Sequence, residues 1–184
     1  MRGLGAVFEQ AQPDVVLVQG DTSSAVAGAM AAFHLQIPVG HVEAGLRTYN
    51  RHAPFPEEVN RKVISSIADL HFAPTQHAEA NLLNECVAAQ DIVVTGNTVI
   101  DALYWVLKHK APDMEPYTGT IPKGDGWILV TGHRRESFGD GFRDICLGLK
   151  EISEKYPAQQ IIYPVHLNPK VRETVNAMLG DQEN

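Results

Sequence analysis

Short apolar runs alternate with longer segments of helical periodicity along most of the chain, and this alternation limits the fold more than any other feature. The apolar runs predict strands at 14–18, 39–43, 70–73 and 92–94, and the periodic segments predict helices at 25–35, 57–67, 76–86 and 99–108. Strands that alternate with helices form parallel sheets. We therefore expect an α/β fold with a doubly wound parallel sheet, in which the run at 14–18 is buried on both faces.

The alternation stops between residues 109 and 126, where proline, glycine and charged residues cluster without periodicity. It resumes with predicted strands at 127–131 and 160–163 and predicted helices at 141–155 and 171–179. We therefore predict a first domain at 1–108, a linker at 109–126 and a second domain at 127–184. Two parallel strands bury little surface and leave both sheet edges open. We expect both domains to be incomplete, as in the middle of a larger protein.

Composition excludes several classes of function. Apolar residues make up 44% of the chain and charged residues 20%, which is typical of a soluble globular protein. The net charge of −7 argues against broad binding to nucleic acid or to an anionic membrane. The longest apolar run, 25–33, is far shorter than the ~20 residues of a membrane span. Both cysteines are isolated in sequence, so a reduced, cytoplasmic setting is expected.

Acidic residues follow the first two predicted strands. Glu43 ends the strand at 39–43 two residues after His41, so we expect both side chains to share one face and to point outward at the carboxyl edge, where such sheets bind ligands. A buried acid without a partner is costly, which favours a functional role for Glu43. Asp21 follows the first strand, and spacing alone favours a helix-capping role over a ligand-binding one.

Glu57 and Glu58 open the helix predicted at 57–67. Carboxylates are favoured there because the start of a helix carries partial positive charge. Either residue fits an ordinary first-turn role, and spacing does not choose between them. We therefore expect the segment 39–58 to place His41 and acids from two separate positions at the same carboxyl edge of the sheet.

A basic cluster follows the predicted strand at 127–131. It consists of His133, Arg134 and Arg135, and arginine matches phosphate oxygens bidentately. The competing interpretation is a solvated loop in which one arginine pairs with Glu136. His166, after the strand at 160–163, fits either the same cleft or a structural role.

The eight histidines form no tight set with metal-ligand spacing, so we expect no metal and no cofactor. No Gly-x-Ser-x-Gly elbow is present, and neither cysteine has a neighbour that indicates a nucleophile. Covalent catalysis is therefore not expected.

Several motifs occur together in one order. They are Gly20-Asp21-Thr22, His41-Val42-Glu43-Ala44-Gly45-Leu46-Arg47, Pro56-Glu57-Glu58-x-Asn60-Arg61, Gly96-Asn97-Thr98-Val99-Ile100-Asp101, Thr131-Gly132-His133-Arg134-Arg135-Glu136-Ser137 and Tyr163-Pro164-Val165-His166-x-Asn168-Pro169. In this combination the chain resembles the bacterial non-hydrolysing UDP-N-acetylglucosamine 2-epimerases, from about Pro13 to about Val175.

The resemblance implies two Rossmann-like domains in the glycosyltransferase-B arrangement, with a cleft between them. It implies interconversion of UDP-N-acetylglucosamine and UDP-N-acetylmannosamine through elimination of UDP and a 2-acetamidoglucal intermediate, for surface polysaccharide synthesis. Acidic catalytic roles carry over to Asp21, Glu43 and Glu57, and a substrate and phosphate role to His133. Arg134 and Arg135 are expected beside the phosphates. Family members are commonly homodimers, and a homodimer is expected for the full-length form.

The chain also departs from the family pattern. The family's N-terminal Gly-Thr-Arg-Pro-Glu turn and its C-terminal Ser-Gly-Gly segment, which contribute to substrate and nucleotide binding, are absent from this sequence. We therefore expect weak or no turnover from the isolated polypeptide. The alternatives are a glycosyltransferase of the same architecture, a hydrolysing epimerase, and a fragment that binds nucleotide sugar without turnover.

Overall fold

The computed structural model describes residues 2–109, 126–132 and 140–182. The chain divides into two compact units, Met1–His109 and Lys110–Asn184. The helices and strands of the first unit are α1 Arg2–Ala11, β1 Val16–Gln19, α2 Ser23–His34, β2 Val39–Val42, α3 Glu57–Ser65, β3 Leu70–Ala73, α4 Gln76–Asn84, β4 Ile92–Val94 and α5 Thr98–His109, with a short 3₁₀ turn at Ala89–Asp91. The strands and helices predicted for this unit are confirmed, with ends that differ by a few residues.

The first unit is built on a four-stranded parallel sheet in the order β1-β2-β3-β4. In the register, Val18 lies beside His41, and His41 lies beside His71. Right-handed connections between sequential parallel strands place their helices on one face of the sheet. Val18 points into the core that this arrangement forms, with Ala25, Ala29 and other buried residues around it.

The opposite face of β1 is open to solvent among the described residues, with Leu17 62% exposed and Gln19 also exposed. The expectation that this run is buried on both faces is therefore wrong for the described structure. The reason is that an apolar run shows which side chains are hydrophobic but does not show which of them are covered by another helix or strand.

Two strand-to-helix junctions are built in the same way. The side-chain oxygen of Thr22 accepts the N–H of Ala25 at 3.2 Å at the start of α2. The side-chain oxygen of Thr75 accepts the N–H of Ala78 at 3.1 Å at the start of α4. Such N-caps satisfy a backbone donor that has no partner within the helix.

Gly45 allows the chain to leave β2. Its φ is +85°, and a Cβ at this position would lie 2.2 Å from the carbonyl oxygen of Ala78. Glycine adopts this left-handed conformation without steric penalty and lets the turn pack directly on α4. The turn therefore sets the path of the loop that leads to α3.

The second unit contains a two-stranded parallel sheet and two helices. These elements are β5 Trp127–Leu129, α6 Asp140–Lys155, β6 Gln160–Ile162 and α7 Pro169–Leu179. Its core is formed by Phe142, Cys146, Val171 and Val175. The strands and helices predicted here are confirmed as well, and residues 110–125 of the predicted linker lie outside the described residues.

Candidate active site

Two acidic residues singled out from the sequence lie at the carboxyl edge of the first sheet, and a third opens the helix that binds one of them. Asp21 follows β1, Glu43 follows β2 and Glu57 opens α3. We call Asp21, Glu43 and Glu57 the carboxylate rim. Parallel strands bring their carboxyl ends to one edge, so residues distant in sequence become neighbours there.

Asp21 is held by residues of α3. Its Oδ2 accepts hydrogen bonds from Arg61 Nε at 2.9 Å and Nη2 at 2.7 Å, and its backbone oxygen accepts one from Asn60 Nδ2 at 2.7 Å. The helix-capping role that spacing favoured for Asp21 is wrong, because Thr22 caps α2. The Asp21 side chain therefore lies in an ion pair at the sheet edge.

Glu43 differs from its predicted placement. The strand ends at Val42, and Glu43 has a φ of +68°, so it does not continue the strand on the same face as His41. Its Oε2 lies beside Gly20, since a Cβ built on Gly20 would lie 3.7 Å from this oxygen. A non-glycine residue in this region costs on the order of 1–3 kcal/mol, and such strain is concentrated at functional sites. The turn thus redirects the Glu43 carboxylate toward the end of β1.

His41 is fully buried beneath the rim instead of pointing out of it. Its Nε2–H donates to the carbonyl oxygen of Gly20 at 2.8 Å. Loss of hydration on burial lowers the pKa of His41 to about 4, so the imidazole is neutral at pH 7. Burial also lowers the pKa of His71, its neighbour on β3. His41 therefore supports the backbone that leads into Asp21.

Glu57 and Glu58 have different surroundings. Glu58 is 1% exposed and accepts the backbone N–H groups of Thr48 at 3.0 Å and Tyr49 at 2.9 Å. Burial by itself would raise the pKa of Glu58, but these N–H groups and Arg61 outweigh it and lower the pKa. Glu57 is half-buried, and none of the hydrogen bonds or ion pairs of the described residues engages its carboxylate. Glu58 is thus committed to the fold, and Glu57 is available for chemistry.

The loop between β2 and α3 is anchored by a second buried arginine. The side chain of Arg47 has no exposed surface and binds Glu85 bidentately, with Nε–Oε1 at 2.9 Å and Nη2–Oε2 at 2.7 Å. Its Nη2 also donates to the Ser65 hydroxyl at 3.0 Å. The Arg47 hydrogen bond lowers the pKa of Glu85. Arg47 therefore joins the loop to α3 and to the end of α4.

Sequence reasoning assigned no role to Asn60, Arg61 or Arg47, although each lies in a quoted motif. For Arg61 a local signal exists, since Glu58 and Arg61 are three residues apart on a helix and can pair. The Arg61–Asp21 bond spans 40 residues and the Arg47–Glu85 bond spans 38 residues, so no local sequence pattern indicates either of them.

The predicted phosphate-binding residues His133, Arg134 and Arg135 lie outside the described residues. The backbone just before them is held by Tyr163, whose hydroxyl donates to the carbonyl oxygen of Gly132 at 2.8 Å. His166 is exposed, and its Nδ1 accepts the backbone N–H of Asn168 at 3.1 Å.

Within the described ranges, no three histidine, cysteine, aspartate or glutamate side chains are grouped as metal ligands would be. No helix in those ranges combines the length and apolar character needed to cross a bilayer. Among the rim carboxylates, Asp21 has Arg61 as its partner.

Comparison with known proteins gives a consistent result. A family model described as UDP-N-acetylglucosamine 2-epimerase matches residues 1–184. A Yersinia pestis protein named UDP-N-acetylglucosamine 2-epimerase is 49% identical over 190 residues, which cover 100% of this chain and 50% of that protein.

Solved structures agree. UDP-GlcNAc 2-epimerase from Neisseria meningitidis bound to UDP-GlcNAc matches with a TM-score of 0.91 and 44% identity, over 100% of this chain and 51% of that one. The S. aureus MnaA–UDP structure matches with a TM-score of 0.87 and 43% identity, over 98% of this chain and 48% of that one. The chain spans about half the length of the curated relatives it matches.

These structures confirm the parallel α/β fold of glycosyltransferase-B type expected from the sequence. The family match covers all 184 residues, including every motif on which the resemblance rested. The chain belongs to the UDP-N-acetylglucosamine 2-epimerase family.

Proposed function

We propose that the protein to which this sequence belongs interconverts UDP-N-acetylglucosamine and UDP-N-acetylmannosamine, and that this chain supplies the acid–base residues. The proposal is supported by the family and by the relatives named for this reaction. The observation that carries it is the carboxylate rim: Asp21 and Glu43 follow adjacent parallel strands, and α3, which Glu57 opens, binds Asp21 through Asn60 and Arg61.

The reaction requires acid–base groups on both faces of the sugar. A base removes the proton from C2 while the C1–O bond breaks, and UDP leaves with the bonding electron pair. The product is 2-acetamidoglucal with a C1–C2 double bond. Re-addition of UDP at C1 and delivery of a proton to the opposite face of C2 give the epimer. Since C2 has no adjacent carbonyl, removal of its proton must be coupled to departure of the diphosphate.

The rim residues suit this chemistry in different ways. None of the hydrogen bonds or ion pairs among the described residues engages the Glu57 carboxylate, which supports a role for it in accepting or donating a proton. Glu43 projects from a turn toward Gly20, and Asp21 follows Gly20 directly. We assign acid–base roles to all three, with the face of C2 served by each left to experiment.

We also propose that His133, Arg134 and Arg135 bind the diphosphate. Cations stabilise the charge that develops on the leaving group, and arginine matches phosphate oxygens bidentately. Tyr163 supports this assignment because it fixes the carbonyl of Gly132, immediately before the cluster.

The remaining assignments follow from the family. We propose that residues 1–108 and 127–184 belong to two Rossmann-like domains joined by a linker at 109–126, that the full-length protein is a cytoplasmic homodimer, and that it supplies precursors for surface polysaccharide. The reaction as written needs no cofactor, since the same carbon loses and regains its proton and UDP both leaves and returns.

The test is proton NMR of UDP-N-acetylglucosamine incubated in D2O with the full-length protein to which this sequence belongs. The isolated 184-residue chain, for which weak or no turnover is expected, is measured alongside it. Loss of the C2 proton signal together with appearance of UDP-N-acetylmannosamine would support the proposal. Free N-acetylmannosamine and UDP would instead identify a hydrolysing enzyme, and turnover only with a sugar acceptor would identify a glycosyltransferase. Ligand-induced stabilisation without exchange at C2 would identify a binding fragment.

A further inference from the structure

Arg61 links the rim carboxylate of Asp21 to the structural carboxylate of Glu58. Its side chain is 13% exposed. Nε and Nη2 donate to Asp21 Oδ2 at 2.9 and 2.7 Å, and Nη1 donates to Glu58 Oε2 at 3.0 Å. Both bonds to Asp21 end on Oδ2, so Oδ1 receives neither of them. The guanidinium thus fixes the carboxylate and leaves one of its oxygens for another partner.

The other side of this linkage is rigid. Glu58 is almost fully buried, and its two oxygens accept the N–H groups of Thr48 and Tyr49 from the loop that follows Glu43. A guanidinium presents its donors in a fixed planar fork, so it holds both carboxylates in one relative orientation. The loop, Glu58, Arg61 and Asp21 are therefore connected by successive charge-assisted bonds.

Arg61 also lies four residues after Glu57 on α3, which places the two side chains on the same side of the helix one turn apart. A shift of Arg61 relative to Asp21 would move the start of α3, and with it Glu57, relative to the end of β1. The same side chain thus sets the positions of two rim residues.

We propose that Arg61 is a positioning residue for the proton transfers at C2, which it serves by orienting Asp21 and by holding the start of α3 against the end of β1. This inference rests on the proposed function. It predicts that Arg61 acts through Asp21 and contributes little to the binding of the nucleotide sugar.

The kinetic test uses the full-length protein to which this sequence belongs and its variants Arg61→Gln, Arg61→Lys, Asp21→Asn and the double variant R61Q/D21N. C2 exchange in D2O is measured over a range of UDP-N-acetylglucosamine concentrations. We expect R61Q to lower kcat about 100-fold, the size of effect that a misplaced catalytic group produces, with little change in KM. R61K keeps the charge and loses the fork, so it should recover only part of the rate.

The double variant separates positioning from general structural support. If Arg61 acts through Asp21, R61Q/D21N is no slower than D21N. Losses that multiply in the double variant would overturn the inference. Lys62→Gln removes a positive charge from the next position of the same helix, where the side chain is half exposed and does not contact Asp21, and should leave the rate unchanged.

A second measurement is independent of turnover. The three-bond Hα–Hβ couplings of Asp21 report whether its χ1 angle is fixed. We expect a single rotamer in the unsubstituted chain and in K62Q, and averaged couplings in R61Q. Unchanged couplings in R61Q, or in R61K if R61Q does not fold, would overturn the inference. Absence of exchange in the unsubstituted full-length protein would count against the proposed function alone, and the couplings would still decide the role of Arg61.

Discussion

The carboxylate of Glu58 accepts hydrogen bonds from two backbone N–H groups and from Arg61, whereas that of Glu57, one residue earlier, is engaged by no hydrogen bond or ion pair among the described residues. Adjacent helix positions point about 100° apart, so one acid can face the loop while the other faces the rim. Two neighbouring glutamates therefore differ in role: Glu58 is structural, and Glu57 is the proposed catalytic residue.

Glu58→Gln should destabilise the protein, because the buried amide would offer one acceptor oxygen to two N–H groups and place its own NH2 against one of them. We expect the free energy of unfolding to fall by about 1–3 kcal/mol, measured by urea denaturation. Glu57→Gln should leave that free energy within about 0.5 kcal/mol of the original value. It should abolish detectable C2 exchange.

Glu9→Gln is the matched control, since Glu9 is an exposed acid on α1. It should change neither stability nor exchange. Equal destabilisation by E57Q and E58Q would contradict the separation of roles.

At the scale of elements, the junctions that follow β1 and β3 use the same device for different surroundings. Thr22 caps α2 next to Asp21, and Thr75 caps α4. Substituting each threonine in turn therefore distinguishes the loss of stability from a missing helix cap from a displacement of Asp21.

Thr22→Ala and Thr75→Ala should each lower the free energy of unfolding by about 1 kcal/mol through loss of the cap. T22A should also slow C2 exchange, because loosening the first turn of α2 displaces the adjacent Asp21. T75A should exchange at the rate of the unsubstituted chain. If both variants slow exchange equally, the loss reflects general stability and not the position of Asp21.

Tyr163 performs an analogous function in the second unit, where its hydroxyl fixes the carbonyl of Gly132. Tyr163→Phe removes that hydrogen bond and keeps the ring. We expect the free energy of unfolding to fall by about 1 kcal/mol. Unfolding is monitored by the fluorescence of Trp127, in a Trp105→Phe background that removes the other tryptophan. UDP affinity, measured by calorimetry, should weaken because Gly132 directly precedes the proposed phosphate cluster.

Tyr156→Phe is the control for Tyr163→Phe, since Tyr156 is an exposed tyrosine of the same unit. Unchanged UDP affinity in Y163F would argue against a phosphate-binding role for the segment after Gly132.

At the scale of the whole molecule, the buried histidines determine how stability responds to acid. Burial lowers the pKa of His41 from 6.5 to about 4, and it lowers the pKa of His71 as well. Between pH 6.5 and about pH 4, His41 binds a proton in the unfolded chain but not in the folded chain. Stability is therefore highest above about pH 6.5 and declines as the pH falls toward 4.

The lowered pKa of Glu58 and Glu85 acts at more acidic pH. These carboxylates stabilise the fold above their ordinary pKa of 4.5, and this contribution is lost as the pH falls through their lower folded values. All four groups thus make the fold more stable at neutral pH than at acidic pH.

His41 alone should cost about 2 kcal/mol of unfolding free energy between pH 7 and pH 5. His41→Gln retains a side-chain N–H donor for the Gly20 carbonyl and does not titrate, so its stability should fall less over this range. Urea denaturation at the two pH values measures both proteins. An equal decline in the two would show that His41 is not responsible.

The strands, the helices and the positions of the acids just after them could be predicted from the sequence because each depends on neighbours within a few residues. The alternation of apolar runs with helical periodicity located β1 to β6. Motif identity located the candidate residues and the family. The boundaries differed by only a few residues because turns and caps are local as well.

The tertiary structure decided which polar groups meet. Glu43 leaves the strand with a positive φ and turns toward Gly20, His41 is buried beneath the rim, and Arg61 binds an aspartate 40 residues away. No local pattern encodes these outcomes, because each depends on the register of β1 against β2 and on where α3 begins. By itself the sequence determined the elements and the residues at their ends, whereas only the packing of α3 against the sheet edge determined which carboxylates are held by hydrogen bonds and which is left available for chemistry.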